Sequence, residues 1–258
     1  MDSRQPPKDL PQDLPSQARS LVVLPTYNEA ENVLRMASEV LATAPELEVL
    51  VVDDGSPDGT GELVRGAMES EPRLHLVERA GKLGLGTAYL AGMAFGLERG
   101  FANILTMDCD FSHKPSYLPN LIAGMRDHDM MIGSRYVPGG GIANWPAHRR
   151  FLSAFANLYT RVLLRLPTHD NTSGFRCYSR EVLETIETEA IKSSGYSFLE
   201  EMVFRVHRAG FQIGETPILF EDRVLGTSKI DRAEIFRAAL HVFTTALRPP
   251  PRAKRRSA

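Results

Sequence analysis

Two aspartates one residue apart, Asp108 and Asp110, close the apolar run Ala102 to Met107. That run reads as a buried strand, and residues i and i+2 of an extended segment point to the same side. Two hard carboxylates on one side suit a divalent cation such as Mg2+ or Mn2+, the usual companion of a nucleotide diphosphate. An isolated Asp-x-Asp would fit an acidic turn equally well, but this pair is not isolated. Asp53 and Asp54 close a second apolar run, Val49 to Val52, and Pro25-Thr26-Tyr27-Asn28-Glu29 ends a third. Three polar clusters at the carboxyl ends of three strands describe the ligand crevice of an open α/β sheet. In such a crevice Asp53 or Asp54 can accept hydrogen bonds from a base or ribose, while Asp108 and Asp110 face the cation.

The elements that must position these residues follow from periodicity. Short β-branched-rich runs predict strands near 21–24, 48–52, 74–77, 102–107 and 130–133, with helical periods near 30–43, 59–69, 85–98 and 115–126. Strand-helix alternation implies an α/β fold with a mainly parallel central sheet and helices on both faces. Gly139-Gly140-Gly141 reads as a loop with no preferred backbone. Beyond it, Pro146 to Leu166 predicts one long helix, because Phe151, Phe155, Leu158, Val162 and Leu166 recur near the 3.6 period. A loop from Pro167 to Gly174 leads into Phe175 to Tyr178, then helices near 180–187 and 198–209 and short strands around 211–215 and 217–220. We divide the chain into a disordered leader (1–20), one domain (21–247) with a donor half (21–134) and an acceptor-side half (135–247), and a basic tail (248–258).

With 258 residues and 43% hydrophobic content, the chain can bury a full core. A net charge of −2 argues against a nucleic-acid partner, whose phosphates would call for a basic excess. Cys109 and Cys177 form neither a metal-ligand pattern nor a disulfide framework, which points to a reducing, cytoplasmic compartment. No apolar run reaches the ~18 residues of a spanning helix. Asp231 to Leu247 reads as a helix with Phe236, Leu240, Phe243 and Leu247 on one stripe, followed by Arg248, Arg252, Lys254, Arg255 and Arg256. This fits peripheral contact with the anionic cytoplasmic face of a membrane, and fits equally a core-packed helix with a solvated tail.

Gly84-Leu85-Gly86-Thr87-Ala88-Tyr89 begins like a dinucleotide fingerprint, but Tyr89 stands where the third glycine belongs and no strand directly precedes it. A phosphoacceptor receiver domain also uses strand-end aspartates, yet its acidic pair closes the first strand and here it closes the second. Taken together, Leu24 to Glu29, Val52 to Thr60, Lys82 to Tyr89, Met107 to His113, Gly133 to Tyr136, Thr172 to Arg176, Glu215 to Arg223 and Gly226 to Lys229 resemble the inverting family 2 glycosyltransferases of the GT-A fold. More narrowly they resemble the dolichyl or polyprenyl phosphate mannose synthases, over roughly residues 21–247.

The resemblance implies that Pro25, Tyr27, Glu29 and Asp54 line a nucleotide pocket with the backbone of Val52 beside the base. It implies that Asp108 and Asp110, with the backbone of Cys109, hold Mg2+ or Mn2+ and the donor diphosphate, Asp110 having a catalytic part. Arg135, Arg149 and Ser153 match an acceptor-phosphate site, Arg135 being catalytic, while Arg223 and Lys229 match a loop that closes over the donor. The chain departs from the family's usual spelling at Cys109, where a small alanine-like residue is common, and at Asn171-Thr172-Ser173-Gly174, which reorders Leu-Thr-Gly-Ser. The implied reaction moves mannose from GDP-mannose to a polyprenyl monophosphate, with or without a membrane-anchoring partner protein. A UDP-sugar donor such as UDP-glucose is the alternative, and an inactive nucleotide-sugar-binding subunit is disfavoured by the intact charged set. A phosphate monoester with a second pKa near 6 is largely ionised at neutral pH, so the chemistry asks for cations more than for a base.

Overall fold

The computed structural model describes residues 19–188, 191, 193, 195–222, 232–251 and 253. Strands β1 (Ser20–Thr26), β2 (Leu47–Asp53), β3 (Leu74–Glu78) and β4 (Asn103–Thr106) alternate with helices α1 (Val33–Leu41), α2 (Thr60–Met68) and α3 (Leu85–Glu98). A 3-10 turn, Pro115–Tyr117, leads into α4 (Leu118–Gly124), followed by β5 (Met130–Ser134), β6 (Gly141–Ala143), α5 (Ala147–Leu164) and β7 (Arg176–Ser179). Helices α6 (Arg180–Thr185) and α7 (Tyr196–Ala209), strands β8 (Ile213–Pro217) and β9 (Leu219–Glu221), and helix α8 (Arg232–Leu247) complete the order. The first strand begins at Ser20, so Ser20 and Arg19, which pairs with Glu48, belong to the fold and not to a leader.

The main sheet runs β3-β2-β1-β4-β7-β5-β8, parallel except where β7 lies antiparallel between β4 and β5. Strand order reverses at β1, between β2 and β4, and crevices for ligands form outside the carboxyl ends at such a switch point. Alternation sorts each strand between two cores. Leu21, Val23, Leu50 and Val52 face a cluster completed by α3, α6 and α7, whereas Val22, Leu24, Val49 and Val51 face α1, α2 and α4. Two features differ from the sequence reading. Gly141 ends the triple-glycine run inside a strand, pairing with Leu219 of β9 in a separate two-stranded sheet. The expected helix 115–126 is split by its 3-10 first turn.

Close packing of α3 on β1 depends on glycine. A Cβ at Gly92 would land on the side chain of Val23, and one at Gly96 would lie 2.7 Å from that of Ile104. Gly92→Ala gains about 1 kcal/mol of helix propensity, but Val23 is β-branched, stiff and fully buried, so it cannot swing away. Overpacking of this kind costs roughly 1–3 kcal/mol. Urea unfolding of Gly92→Ala is therefore expected to show a net loss of stability. An unchanged or raised midpoint would mean that the helix lifts off the sheet without cost.

Candidate functional site

The donor-side crevice is built at the ends of β1, β2 and β4. Asp53 accepts from Thr26 Oγ1 at 2.8 Å and from Ser56 N and Oγ at 2.8 and 2.6 Å, which folds the turn after β2. Asp54 accepts from Arg79 Nε at 2.6 Å and from the backbone N–H groups of Leu83 and Gly84 at 3.1 and 3.4 Å. Both carboxylates thus arrive already bonded, and Asp54 anchors the loop that leads into α3. Tyr27 sits at the rim with Lys82 Nζ 4.5 Å from its ring centroid. Glu29 accepts from Asn32 Nδ2 at 2.8 Å, Pro25 is half-buried, and Val52 is buried in register with Pro25 and Val77.

Asp108 and Asp110 lie in the segment that follows β4, which ends at Thr106, and Cys109 between them packs into the core. Burial pushes the Cys109 thiol well up, so only its backbone can serve the crevice. Asp110 accepts from Ser112 N at 3.0 Å and Oγ at 2.5 Å. Asp108, with its side chain 33% exposed, accepts from Tyr89 Oη at 2.8 Å, while Nδ1 of buried His113 lies 3.8 Å from its other oxygen. His113 stacks on Phe175 and meets Phe220 edge-on, and burial lowers its pKa, leaving the ring neutral. Among the described residues no group of three His, Cys, Asp or Glu side chains could hold a metal alone. Two hard carboxylates nevertheless fit Mg2+ or Mn2+, which commonly take one or two protein carboxylates and complete their shell with phosphate and water.

The acceptor side is a cavity of about 280 Å³ between α5 and α8, with Arg135, Trp145 and Arg149 at its polar part and Leu152, Phe155 and Ala239 among its apolar walls. Arg135, just after β5, lays its fork on fully buried Asp170: Nε and Nη2 donate at 2.7 Å each, and Nη2 donates to Thr172 Oγ1 at 2.8 Å. Arg149 donates to Asp222 at 2.9 Å with its guanidinium carbon 3.8 Å from the centroid of Trp145. Ser153 Oγ accepts from Tyr136 Oη at 2.7 Å. Arg135, Arg149 and Ser153 therefore line one cavity. Arg223 and Lys229 lie outside the described residues.

Helix α5 reverses the usual polarity. Its inner face buries Asn157 and Thr160, and Asn157 bonds Thr172 and the backbone of Asn171. Its apolar stripe faces outward, with Phe151 75%, Phe155 56%, Leu158 57% and Val162 64% exposed. On α8, Leu240, Phe243 and Leu247 are exposed as well, whereas Ala238 and Val242 pack inward. The side chain of Phe236 lies outside the described residues. Sequence reasoning missed Asp170, Tyr89, Trp145 and Glu200. Of these only Tyr89 had left a signal, as the residue that spoils a glycine fingerprint.

Three comparisons agree with this geometry. The family described as Glycosyl transferase family 2 matches residues 21–187. The chain is 45% identical over 232 residues to the polyprenol monophosphomannose synthase of Mycolicibacterium smegmatis, covering 89% of this chain and 88% of that protein. It is 43% identical over 224 residues to the undecaprenyl-phosphate mannosyltransferase of Micrococcus luteus, covering 87% and 92%. In fold it is similar to the mannosyltransferase PcManGT of Pyrobaculum calidifontis, solved with GDP-Man and Mn2+ (TM-score 0.60, 20% identity, 96% of this chain and 69% of that one). A glucosyl-3-phosphoglycerate synthase of Mycobacterium tuberculosis, solved with Mn2+, UDP and phosphoglyceric acid, has a TM-score of 0.63 at 19% identity, over 92% and 81% of the two chains.

Glu200, on α7 at the wall of the cavity, accepts from Thr160 Oγ1 at 2.8 Å, and its Oε2 has no hydrogen-bond partner among the described residues. Burial raises its pKa from the usual 4.5 to about 7, partly opposed by Thr160, His241 and Arg176. Between those two values the unfolded chain ionises this carboxyl while the folded state retains the proton. Stability therefore falls as pH rises from about 4.5 to 7 and carries the full penalty above it. Glu200→Gln should match the parent near pH 5 and exceed it at pH 8 by up to about 3 kcal/mol. Thermal melts at the two pH values measure this, and equal shifts at both would remove the buried acid as the cause.

Proposed function

The chain belongs to glycosyl transferase family 2, and we propose that it transfers mannose from GDP-mannose to a polyprenyl monophosphate with inversion. The observation that carries this reading is the cavity between α5 and α8, apolar along its walls and cationic where Arg135 and Arg149 meet. That combination fits an acceptor with a hydrocarbon chain and a phosphate head. The two mannosyltransferase relatives, matched over most of their length, support the same acceptor class and sugar.

The reaction is a single displacement. An oxygen of the acceptor phosphate forms a bond to the anomeric carbon, and the bond from that carbon to the β-phosphate oxygen breaks, its electron pair leaving with GDP. No side chain has to take a proton, because the monoester is already largely ionised. The protein's task is to bring two anions together and hold the attacking oxygen in line. Asp170 fixes the Arg135 guanidinium in advance, and Arg149 is held by Asp222 and Trp145. A divalent cation at Asp108 and Asp110 would supply neutralisation of the departing diphosphate. Pro25, Tyr27, Glu29, Asp54 and the backbone at Val52 and Cys109 are our assignments for the nucleotide, with Arg223 and Lys229 for a covering loop.

The outward stripes of α5 and α8 supply the membrane contact in this reading. No helix among the described residues is long and apolar enough to span a bilayer. Exposed apolar area of this extent calls for a partner, and a lipid surface beside the cavity mouth would let the acceptor keep its tail in the membrane. We assign this surface to the cytoplasmic face. A membrane-anchoring partner protein is not required by it.

Two measurements test these assignments. With a short polyprenyl phosphate and Mn2+, GDP-mannose should give mannosyl-lipid and GDP, with turnover abolished by EDTA. Faster transfer from UDP-glucose would replace the donor, and full turnover in EDTA would remove the cation. Phe151→Glu with Leu158→Glu should lose co-sedimentation with phosphatidylglycerol vesicles while melting near the parent temperature, since both side chains are already in water. Vesicle binding equal to the parent's would leave the α5 stripe without a membrane role.

A further inference from the structure

Tyr89 is drawn into the crevice from an unexpected direction. It lies on α3, one turn after the Gly84-Leu85-Gly86 start, in a helix that otherwise packs on β1. Its ring is fully buried and stacks on Phe198 of α7 at 6.3 Å between centroids. That fit requires Gly86, where a Cβ would lie 2.9 Å from the Phe198 ring. On the far side, Gly174 brings the loop before β7 so close that a Cβ there would lie 3.2 Å from Tyr89 Oη and 3.6 Å from Asp108 Oδ1. Thr106 Oγ1, at the end of β4, holds the Gly174 carbonyl at 2.7 Å. The phenol is thereby fixed from α3, α7 and the β7 loop, with its oxygen 2.8 Å from Asp108 Oδ1.

We propose that Tyr89 is a positioning residue for the cation, setting the rotamer and plane of the Asp108 carboxylate by donating to Oδ1. The inference rests on the cation reading of Asp108 and Asp110 given above. Asp108 lies just beyond β4 with its side chain partly in water, and the Tyr89 hydroxyl is a buried, fixed donor to one of its oxygens. A partner that orients a ligating group typically accounts for 10–100-fold in metal affinity. The same packing bears on the reordered Thr172-Ser173-Gly174: glycine falls where a Cβ would press on the Tyr89 oxygen at 3.2 Å.

The test is Mn2+ binding by the full chain in the presence of GDP, read from the paramagnetic resonance signal of the free ion. Tyr89→Phe should raise the Mn2+ dissociation constant 10–100-fold, and in turnover should raise the Mn2+ requirement so that added Mn2+ recovers part of the loss. Binding within twofold of the parent would overturn the proposal. If Tyr89→Phe does not give a cooperative melt, Gly174→Ala keeps the phenol but presses a methyl against its oxygen, 3.2 Å away. It should weaken Mn2+ in the same direction, and unchanged affinity there would equally overturn it. A parent protein that takes up no Mn2+ with GDP would instead sink the cation reading of Asp108 itself, a separate outcome from equal binding by parent and variant.

Discussion

Asp170, a carboxylate with no exposed surface, holds the acceptor side together. It takes the N–H, Nε and Nη2 of Arg135 and the N–H of Ser173, and Glu215 in turn takes the N–H groups of His169 and Asp170. Burial alone would raise its pKa, but the Arg135 guanidinium overcomes that and lowers it. A buried ion pair of this kind seldom stabilises more than well-packed apolar residues would, whereas losing one partner costs about 3–5 kcal/mol. Its worth here is positional. One side chain joins the end of β5, the 167–174 loop and the wall of the cavity, and does so before any substrate arrives.

That arrangement explains the inverted helix beside it. The inner face of α5 supplies Asn157 to the Asp170 loop and Thr160 to Glu200, so polar residues occupy positions where a soluble helix would put leucine. The apolar residues are displaced to the outer face. Leaving a large apolar side chain in water forgoes roughly 1.5–3 kcal/mol of burial, and four on one stripe is a standing cost that a lipid surface would offset. Helix α8 continues the outer surface, and Tyr159 on α5 ties to it by donating to the carbonyl of Ala239 at 3.1 Å.

The parallel strands were legible because each is an apolar run ended by polar residues, and the crevice because three such ends carry acids or Tyr27. Other features left weak or ambiguous signals. Strand β7 is four residues long and includes Arg176, a cation buried by donating to the carbonyls of Leu199 and Asn171, so its sequence does not look like a central strand. The strand at Gly141–Ala143 was hidden by glycines, which weaken strand propensity without forbidding pairing. Periodicity located α5 but could not orient it, since a 3.6 repeat is the same whether the stripe meets a core or a membrane. The sequence did not show that Asp53 and Asp54 are also bonded within the fold, to Ser56 and Arg79.

Helix α7 connects the two halves of the site within three residues. Phe198 packs on Tyr89 behind Asp108, Leu199 accepts from Arg176, and Glu200 reaches the acceptor cavity through Thr160. In the proposed function this places a carboxyl beside the acceptor phosphate, where its neutral form is favoured. Two like charges 4 Å apart repel by about 4 kcal/mol at an effective dielectric constant of 20. With its pKa raised to about 7, Glu200 is protonated below neutral pH and avoids most of that repulsion there. The neighbouring Glu201 takes the opposite course, lowered to about 2 by His241, Ser193 and Arg205 despite its burial. Consecutive glutamates on one helix are thus shifted in opposite directions, because one faces cations and the other faces the cavity.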